Sequence, residues 1–340
     1  MTHATADGHT QATRTRLDVS VLTWTFPTTE LRLMFGAPPR GARTGLWDPT
    51  ADDGPAGLTL DDVHAALVPG TPDPRVLERV AQAPHLRFVQ LAGAWHGGLA
   101  GVLPTGVTVA DARGVHADGA AELAVGLALA QLRGIDDAAR RMTVQHWSPA
   151  PGRVGSLTGS RVLVVGAGAV GTEVVARLRA FRASVTVVAR TARETLDGRV
   201  HGVDELPHLL PRADVVVLAV PLTDATTHLV DEDFLAAMHD DALLVNVAHG
   251  RVVDTDALVD ELGSGRLRAA LDVTDPSPLP PDHLLWRAPN ALVTPEVGRR
   301  TPLTAARLTE LARRQLTALL AERPLENVVA GPPVIPLLDL

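Results

Sequence analysis

The chain has 340 residues, 46% of them hydrophobic, and a formal net charge of −8 at pH 7. That is enough apolar material for two domains of ordinary size, and an acidic chain with no basic stripe interleaved with aromatics argues against nucleic acid as a partner. With no cysteine anywhere, a disulfide framework, a thiolate metal site and a cysteine nucleophile are all excluded.

In chain order, residues 1–16 are polar and lack the apolar core of a signal peptide, so they read as a flexible lead. Leu17 to Leu22 alternates as a first strand, and Thr29 to Phe35 reads as a short helix. The Gly- and Pro-rich stretch Gly36 to Gly57 carries little pattern. Ala65 to Val68 is a buried strand, and Pro74 to Ala83 a helix with Asp73 as N-cap and Pro74 in the first position. Phe88 to Leu91 is a strand that opens into Ala92-Gly93-Ala94-Trp95-His96-Gly97, and Val107 to Val109 is the next. Ala117 to Arg133, containing Glu122, and Ile135 to Trp147 read as helices, and Ser148 to Gly155 as a linker.

The strongest local signal follows. Val162-Leu163-Val164-Val165 is a buried strand that runs straight into Gly166-Ala167-Gly168-Ala169-Val170-Gly171, after which Thr172 to Leu178 has helical spacing. In such a turn Gly166 permits the tight bend, Gly168 lets a pyrophosphate approach the backbone, and Gly171 lets helix and strand pack closely. The free N–H groups of the helix start then face the phosphates. A second strand, Ser184 to Ala189, ends at Arg190, 19 residues after Gly171. An acidic residue there would accept a hydrogen bond from a ribose 2′-hydroxyl, whereas arginine pairs with a 2′-phosphate. With Thr191 and Arg193 beside it, Arg190 favours NADP(H) over NAD(H); the bland alternative is a solvated or adenine-stacking side chain.

Further strands are expected at Val215 to Ala219, Leu243 to Asn246, Ala269 to Val273 and Ala291 to Val293, with a helix at Thr255 to Leu262. The amphipathic stretch Pro302 to Ala321 is a long helix expected to return to the first domain, and Pro332 to Leu340 a proline-interrupted tail. The reading is an α/β protein of two doubly wound parallel-sheet domains. A Rossmann nucleotide domain (134–300) is inserted into a flavodoxin-like substrate domain (17–133 plus 301–330), with flexible tails at 1–16 and 331–340. No apolar run is long enough to span a bilayer, no metal-ligand spacing of histidines is supported by carboxylates, and no nucleophile elbow accompanies a triad. A cytoplasmic protein without membrane or metal is expected.

Several ordered blocks now coincide, and over roughly residues 85–330 the chain resembles the D-isomer-specific 2-hydroxyacid dehydrogenase family. The blocks are Ala92-Gly93, Ala121-Glu122-Leu123, Trp147, the glycine fingerprint, Pro221-Leu222-Thr223-Asp224-Ala225-Thr226, Asn246-Val247-Ala248-His249-Gly250, Ala270-Leu271-Asp272-Val273 with Pro278-Leu279, Thr294-Pro295-Glu296, and Glu326-Asn327-Val328-Val329. The resemblance implies hydride transfer between a nicotinamide C4 and the C2 of a 2-oxo or 2-hydroxy acid, in a cleft between the domains. It implies substrate contact from Ala92, Gly93, Ala94 and Trp95. For the cofactor it adds Val220, Pro221, Thr226, Ala248, Asp272 and Gly298 to Gly166, Gly168, Ala169, Val170, Gly171, Arg190, Thr191 and Arg193. It also implies a homodimer.

The chain departs from this family at every catalytic position. The substrate-clamping arginine is His249, the glutamate is Ser277 and the histidine is Glu296. Replacing arginine by histidine removes a permanent positive charge, and Glu296 adds a negative one. At about 4 Å and an effective dielectric near 20, each such charge is worth about 4 kcal/mol. The expectation is therefore either a substitute cation, from Arg251, Arg299 or Arg300, or a neutral or cationic substrate such as a ketone, aldehyde or imine. A His249–Glu296 pair retains acid–base capacity. Against each stands a bland reading: His249 satisfied by a backbone carbonyl, Glu296 solvated or paired with arginine, Ser277 a loop residue. The first functional reading is an NADP(H)-dependent oxidoreductase with non-standard acid–base residues; the rival is an inactive dinucleotide-binding homologue with a regulatory or partner role. A redox-neutral lyase that retains the cofactor is a third.

Overall fold

The structure is a computed structural model that describes residues 21–51, 53–70, 74–93, 102–147, 154–196 and 198–335. The expectations that rest on 1–20, Asp52, Asp73, Ala94 to Gly97, most of the linker and 336–340 lie outside these. The described residues fall into two compact units, one of residues up to 90, 102–110 and from 314 onward, the other of 91–93 and 111–313.

The first unit is built in chain order from β1 (Leu22–Phe26), α1 (Thr29–Phe35), β2 (Ala42–Leu46), β3 (Ala65–Val68), α2 (Pro74–Val80), β4 (Phe88–Leu91) and β5 (Thr108–Ala110). The expected first strand, Leu17 to Leu22, falls mostly outside the described residues, and β1 begins at Leu22. It runs Leu-Thr-Trp-Thr-Phe, alternating apolar residues with threonine, yet every residue is buried. Thr25 meets this burial by donating its hydroxyl to the Ala65 carbonyl. Three aromatic contacts join Trp24, Phe26, Phe35 and Phe88 beside this strand. β2 has no counterpart in the sequence reading, because its half-exposed Ala-Arg-Thr-Gly-Leu lacks an apolar pattern.

The second unit continues with α3 (Ala117–Leu132), α4 (Ile135–Met142), β6 (Arg161–Val165), α5 (Ala169–Ala180), β7 (Ser184–Ala189), β8 (Arg193–Thr195), β9 (Gly198–Gly202), α6 (Leu206–Leu209), β10 (Val215–Leu218), α7 (Glu232–Ala237), β11 (Leu243–Asn246), α8 (Thr255–Gly263), β12 (Arg268–Leu271) and β13 (Ala291–Val293), and α9 (Pro302–Leu320) starts in it and passes into the first unit at Arg314. The chain closes with β14 (Val328–Ala330), antiparallel to β5 at one edge of the six-stranded sheet β14-β5-β4-β3-β1-β2. Residues 331–335 are fastened rather than loose. Pro332 accepts the Thr108 hydroxyl at 2.8 Å, and Ile335 is buried.

The second sheet has eight strands in the order β13-β12-β11-β10-β6-β7-β9-β8, all parallel except the β8–β9 hairpin. Its central strands β6, β10, β11 and β12 are covered on both faces, and successive side chains serve opposite cores. Val162 and Val164 pack with α3 and α5, while Leu163 and Val165 pack with the cluster that includes α7 and α8. β6 pairs with both β7 and β10. Strand order reverses there, which is where an open α/β sheet binds its ligand. α3, expected in the substrate domain, lies against α5, β11 and β12.

Candidate active site

At the end of β6, Gly166 sits at φ +123°, and a Cβ there would stand 2.3 Å from the Ala219 carbonyl oxygen and 3.0 Å from the Val220 nitrogen. Gly171 is tighter still, with a Cβ 1.9 Å from the Gly166 carbonyl. A Cβ on Gly168, by contrast, would meet nothing within 4 Å. Gly168 caps α5 in an extended conformation, and no side chain bonds the helix start. The three glycines thus separate into two that hold the turn and one that leaves its backbone accessible. Ala169 and Val170 form the first turn of α5. These features fit a dinucleotide pyrophosphate.

Arg190, Thr191 and Arg193 all lie exposed at the end of β7 and the start of β8. The β8–β9 hairpin that carries Arg193 is absent from the sequence reading, since Arg-Glu-Thr is wholly exposed and shows no periodicity. Pro221 and Thr226 form a self-closed turn. The Thr226 hydroxyl donates to the Pro221 carbonyl at 2.6 Å and accepts the Thr223 N–H at 2.7 Å.

Asn246, the buried last residue of β11, shapes the turn that presents His249. Its side-chain oxygen accepts the Ala248 N–H at 3.0 Å, and its amide donates to the His249 carbonyl at 3.1 Å. Gly250 must follow, because a Cβ would stand 2.0 Å from the Thr274 carbonyl. His249 itself is exposed.

Asp272 is buried at 4% exposure. One oxygen accepts the Thr294 hydroxyl at 2.7 Å and the Val297 N–H at 2.8 Å, and the other accepts the Gly298 N–H at 3.0 Å. Its carboxylate therefore fastens the 294–298 loop, and Gly298 lies against it and against α3. On that loop Glu296 takes φ +54°, a region that costs a non-glycine residue roughly 1–2 kcal/mol. Two contacts hold it there. Its N–H donates to the Asp272 carbonyl at 2.9 Å, and its carboxylate accepts the Ser277 hydroxyl at 2.8 Å. Strain of this kind concentrates at functional sites.

The other carboxylate oxygen of Glu296 is ion-paired with Arg299. Burial pushes the Glu296 carboxyl up, but the Ser277 hydroxyl, the Arg299 guanidinium and the nearby His249 ring outweigh it and hold the carboxyl below its ordinary value. This corrects the sequence-based electrostatics in one respect. Arg299 does not stand ready as a substitute clamp; it neutralises the charge that Glu296 adds. Ser277, Glu296 and His249 are thus neighbours, with Ser277 bonded to Glu296 and His249 within electrostatic range of it.

His116, just before α3, has no role in the sequence reading. Its Nε2 lies 2.7 Å from the Ala92 carbonyl, and burial, with Arg299 nearby, disfavours its protonation. Nothing in the local sequence announces a contact between residues 24 apart.

The NAD-binding domain of the D-isomer specific 2-hydroxyacid dehydrogenases matches residues 125–298. Glyoxylate reductase of Thermofilum pendens is 31% identical over 283 residues, 81% of this chain and 83% of that protein. Human glyoxylate reductase/hydroxypyruvate reductase is 31% identical over 75% of this chain and 80% of its own length. The NADPH-dependent glyoxylate/hydroxypyruvate reductase of Sinorhizobium meliloti, solved with NADP and malonate, has a TM-score of 0.73 at 26% identity, covering 93% of this chain and 98% of that one. The chain belongs to the D-isomer specific 2-hydroxyacid dehydrogenase family, and it is an NAD(P)-dependent oxidoreductase of that type with two Rossmann-like domains. Among the described residues no helix is long and apolar enough to cross a membrane.

Proposed function

We propose that the protein is an NADP(H)-dependent reductase that transfers hydride to a carbonyl or imine carbon, with His249 as acid–base residue and Glu296 as its charged neighbour. The observation that carries this reading is the convergence of Ser277, Glu296 and Arg299 beside His249, on a strained loop fastened by a buried carboxylate. Bound NADPH supplies the hydride. Gly168 and the start of α5 hold its pyrophosphate, and Arg190, Thr191 and Arg193 take the 2′-phosphate, for which a planar guanidinium is suited.

Glu296, with its depressed pKa, is ionised near neutrality and does not donate the proton. Histidine is the side chain whose ordinary range spans neutrality, so proton delivery falls to His249. Ser277 and Arg299 orient the carboxylate. Because no guanidinium occupies position 249, the substrate is one whose carbonyl does not need an arginine clamp: a ketone, an aldehyde, an imine, or a 2-oxo acid held by its carboxylate alone.

The rival reading is a catalytically silent member that keeps the nucleotide site. The Glu296–Arg299 ion pair favours it, since such a pair also suits a purely structural turn. A homodimer is part of the proposal, with α4 and the residues after it as its surface: Met142 is 77% and Trp147 97% exposed. A cytoplasmic location is also part of it.

Calorimetric titration with NADPH and NADH, followed by a panel of carbonyl and imine substrates, tests the reading. Tight NADPH binding with turnover supports it. NADPH binding with no substrate reduced supports the silent member, and no binding of either nucleotide overturns both.

A further inference from the structure

The loop Ala92-Gly93 is held from one side by the segment 111–116. The Ala112 N–H donates to the Gly93 carbonyl at 3.0 Å, and His116 Nε2 lies 2.7 Å from the Ala92 carbonyl. The platform is stiff. Asp111 and Ala112 are fully buried, Asp111 accepts the Arg113 N–H at 3.1 Å, and the Val115 N–H bonds the Ala112 carbonyl at 3.0 Å.

A carbonyl oxygen only accepts, so the Nε2 of His116 carries the proton. In a trans peptide the C=O and N–H point in opposite directions. The Ala92 carbonyl belongs to the same peptide unit as the Gly93 N–H. Fixing that carbonyl on His116 therefore fixes the Gly93 N–H away from it. Gly93 is buried, and among the described residues its N–H donates to no acceptor. A buried, unpaired donor is unfavourable by about 1–3 kcal/mol until an acceptor meets it.

We infer that His116 is a positioning residue for substrate: by holding the Ala92 carbonyl it aims the Gly93 N–H at a substrate carboxylate. This deepens the function proposed above and rests on it for the identity of the ligand as substrate. The same neighbourhood contains the candidate chemistry, because Arg299, which pairs with Glu296, acts electrostatically on the His116 ring. Burial, reinforced by Arg299, favours the neutral ring over the opposing influence of the Ala92 bond. Its Nδ1 is then a buried acceptor without a partner among the described residues. The fold tolerates that orphan to keep a rigid donor at Nε2. With His249 in place of a guanidinium, a backbone donor gains weight as a carboxylate anchor.

The test is a calorimetric titration of oxamate, a non-reducible 2-oxo acid mimic, into NADPH-saturated protein, alongside steady-state kinetics with glyoxylate. H116F removes the donor and keeps the ring's bulk; H116A opens the space for added imidazole; H116Q retains an N–H donor. Loss of the anchoring bond should weaken oxamate and raise KM for glyoxylate by about 10–100-fold in H116F. NADPH affinity should be unchanged and kcat should fall less than KM rises. H116Q, and imidazole added to H116A, should restore much of the affinity. Unchanged oxamate affinity in H116F and H116A overturns the inference, as does a parallel loss of NADPH affinity that neither H116Q nor imidazole repairs. The two proposals fail separately. A wild-type protein that binds oxamate but reduces nothing sinks the reductase reading alone. One that reduces neutral ketones but binds no oxamate sinks the role of His116 alone.

Discussion

Ser277 donates its hydroxyl hydrogen to Glu296 at 2.8 Å, joining two residues 19 positions apart.

The pair has a pH signature. The folded pKa of Glu296 lies below its unfolded value, so its ionisation stabilises the fold. That contribution is complete above the unfolded value and is lost as pH falls through the folded one. S277A and R299A each remove a group that lowers the folded value, so each should narrow the window. Thermal melts between about pH 3 and pH 6, where carboxylates titrate, should show S277A losing acid stability at a higher pH than wild type.

The glycine turn gives a prediction in which stability and binding separate. G166A and G171A place a Cβ within 2.3 Å and 1.9 Å of carbonyl oxygens, and each should cost about 3 kcal/mol or more, lowering Tm. G168A has open space around its Cβ. It should leave Tm unchanged and weaken NADPH by roughly tenfold, about 1.4 kcal/mol. Differential scanning calorimetry paired with nucleotide titration reads both.

The proposed preference for NADP(H) rests on Arg190. In R190A the Kd for NADPH should rise by about 10–100-fold, the worth of a charged hydrogen bond, while that for NADH should barely move. Equal losses for both nucleotides would instead place Arg190 on the adenine.

Asp272 fastens the loop that carries Glu296. D272A leaves the Thr294 hydroxyl and the N–H groups of Val297 and Gly298 without their acceptor. It should lose about 2–4 kcal/mol of stability, with Tm lower by roughly 5–10 °C. D272N should be intermediate, since its amide nitrogen would face a donor.

How much of this was legible depends on burial. Val162 to Val165, Val215 to Leu218 and Leu243 to Asn246 announced themselves because parallel strands covered on both faces must be apolar throughout. β1 alternates apolar residues with threonine, a pattern that reads as half-buried, yet its two threonines are as buried as its aromatics. The helix α4 ends at Met142 although apolar residues continue to Trp147, because Met142, Val144 and Trp147 face outward and stabilise no helix against a core. At the site, the sequence offers His249, Ser277 and Glu296 as candidates, but not what bonds them. The partners of Glu296, the three donors on Asp272 and the hold of His116 on Ala92 are tertiary contacts that no local pattern encodes.

The most direct measurement is NADPH oxidation across the carbonyl and imine panel by wild type and H249Q, with NADPH affinity determined for both. The account predicts turnover by wild type, and for H249Q a loss of at least about 100-fold in kcat, the lower range for removing a general acid, with NADPH affinity intact. Wild-type turnover that survives H249Q unchanged would contradict the assignment of the proton to His249. An NADPH-bound wild type that reduces nothing on the panel would make the protein the silent member of its family.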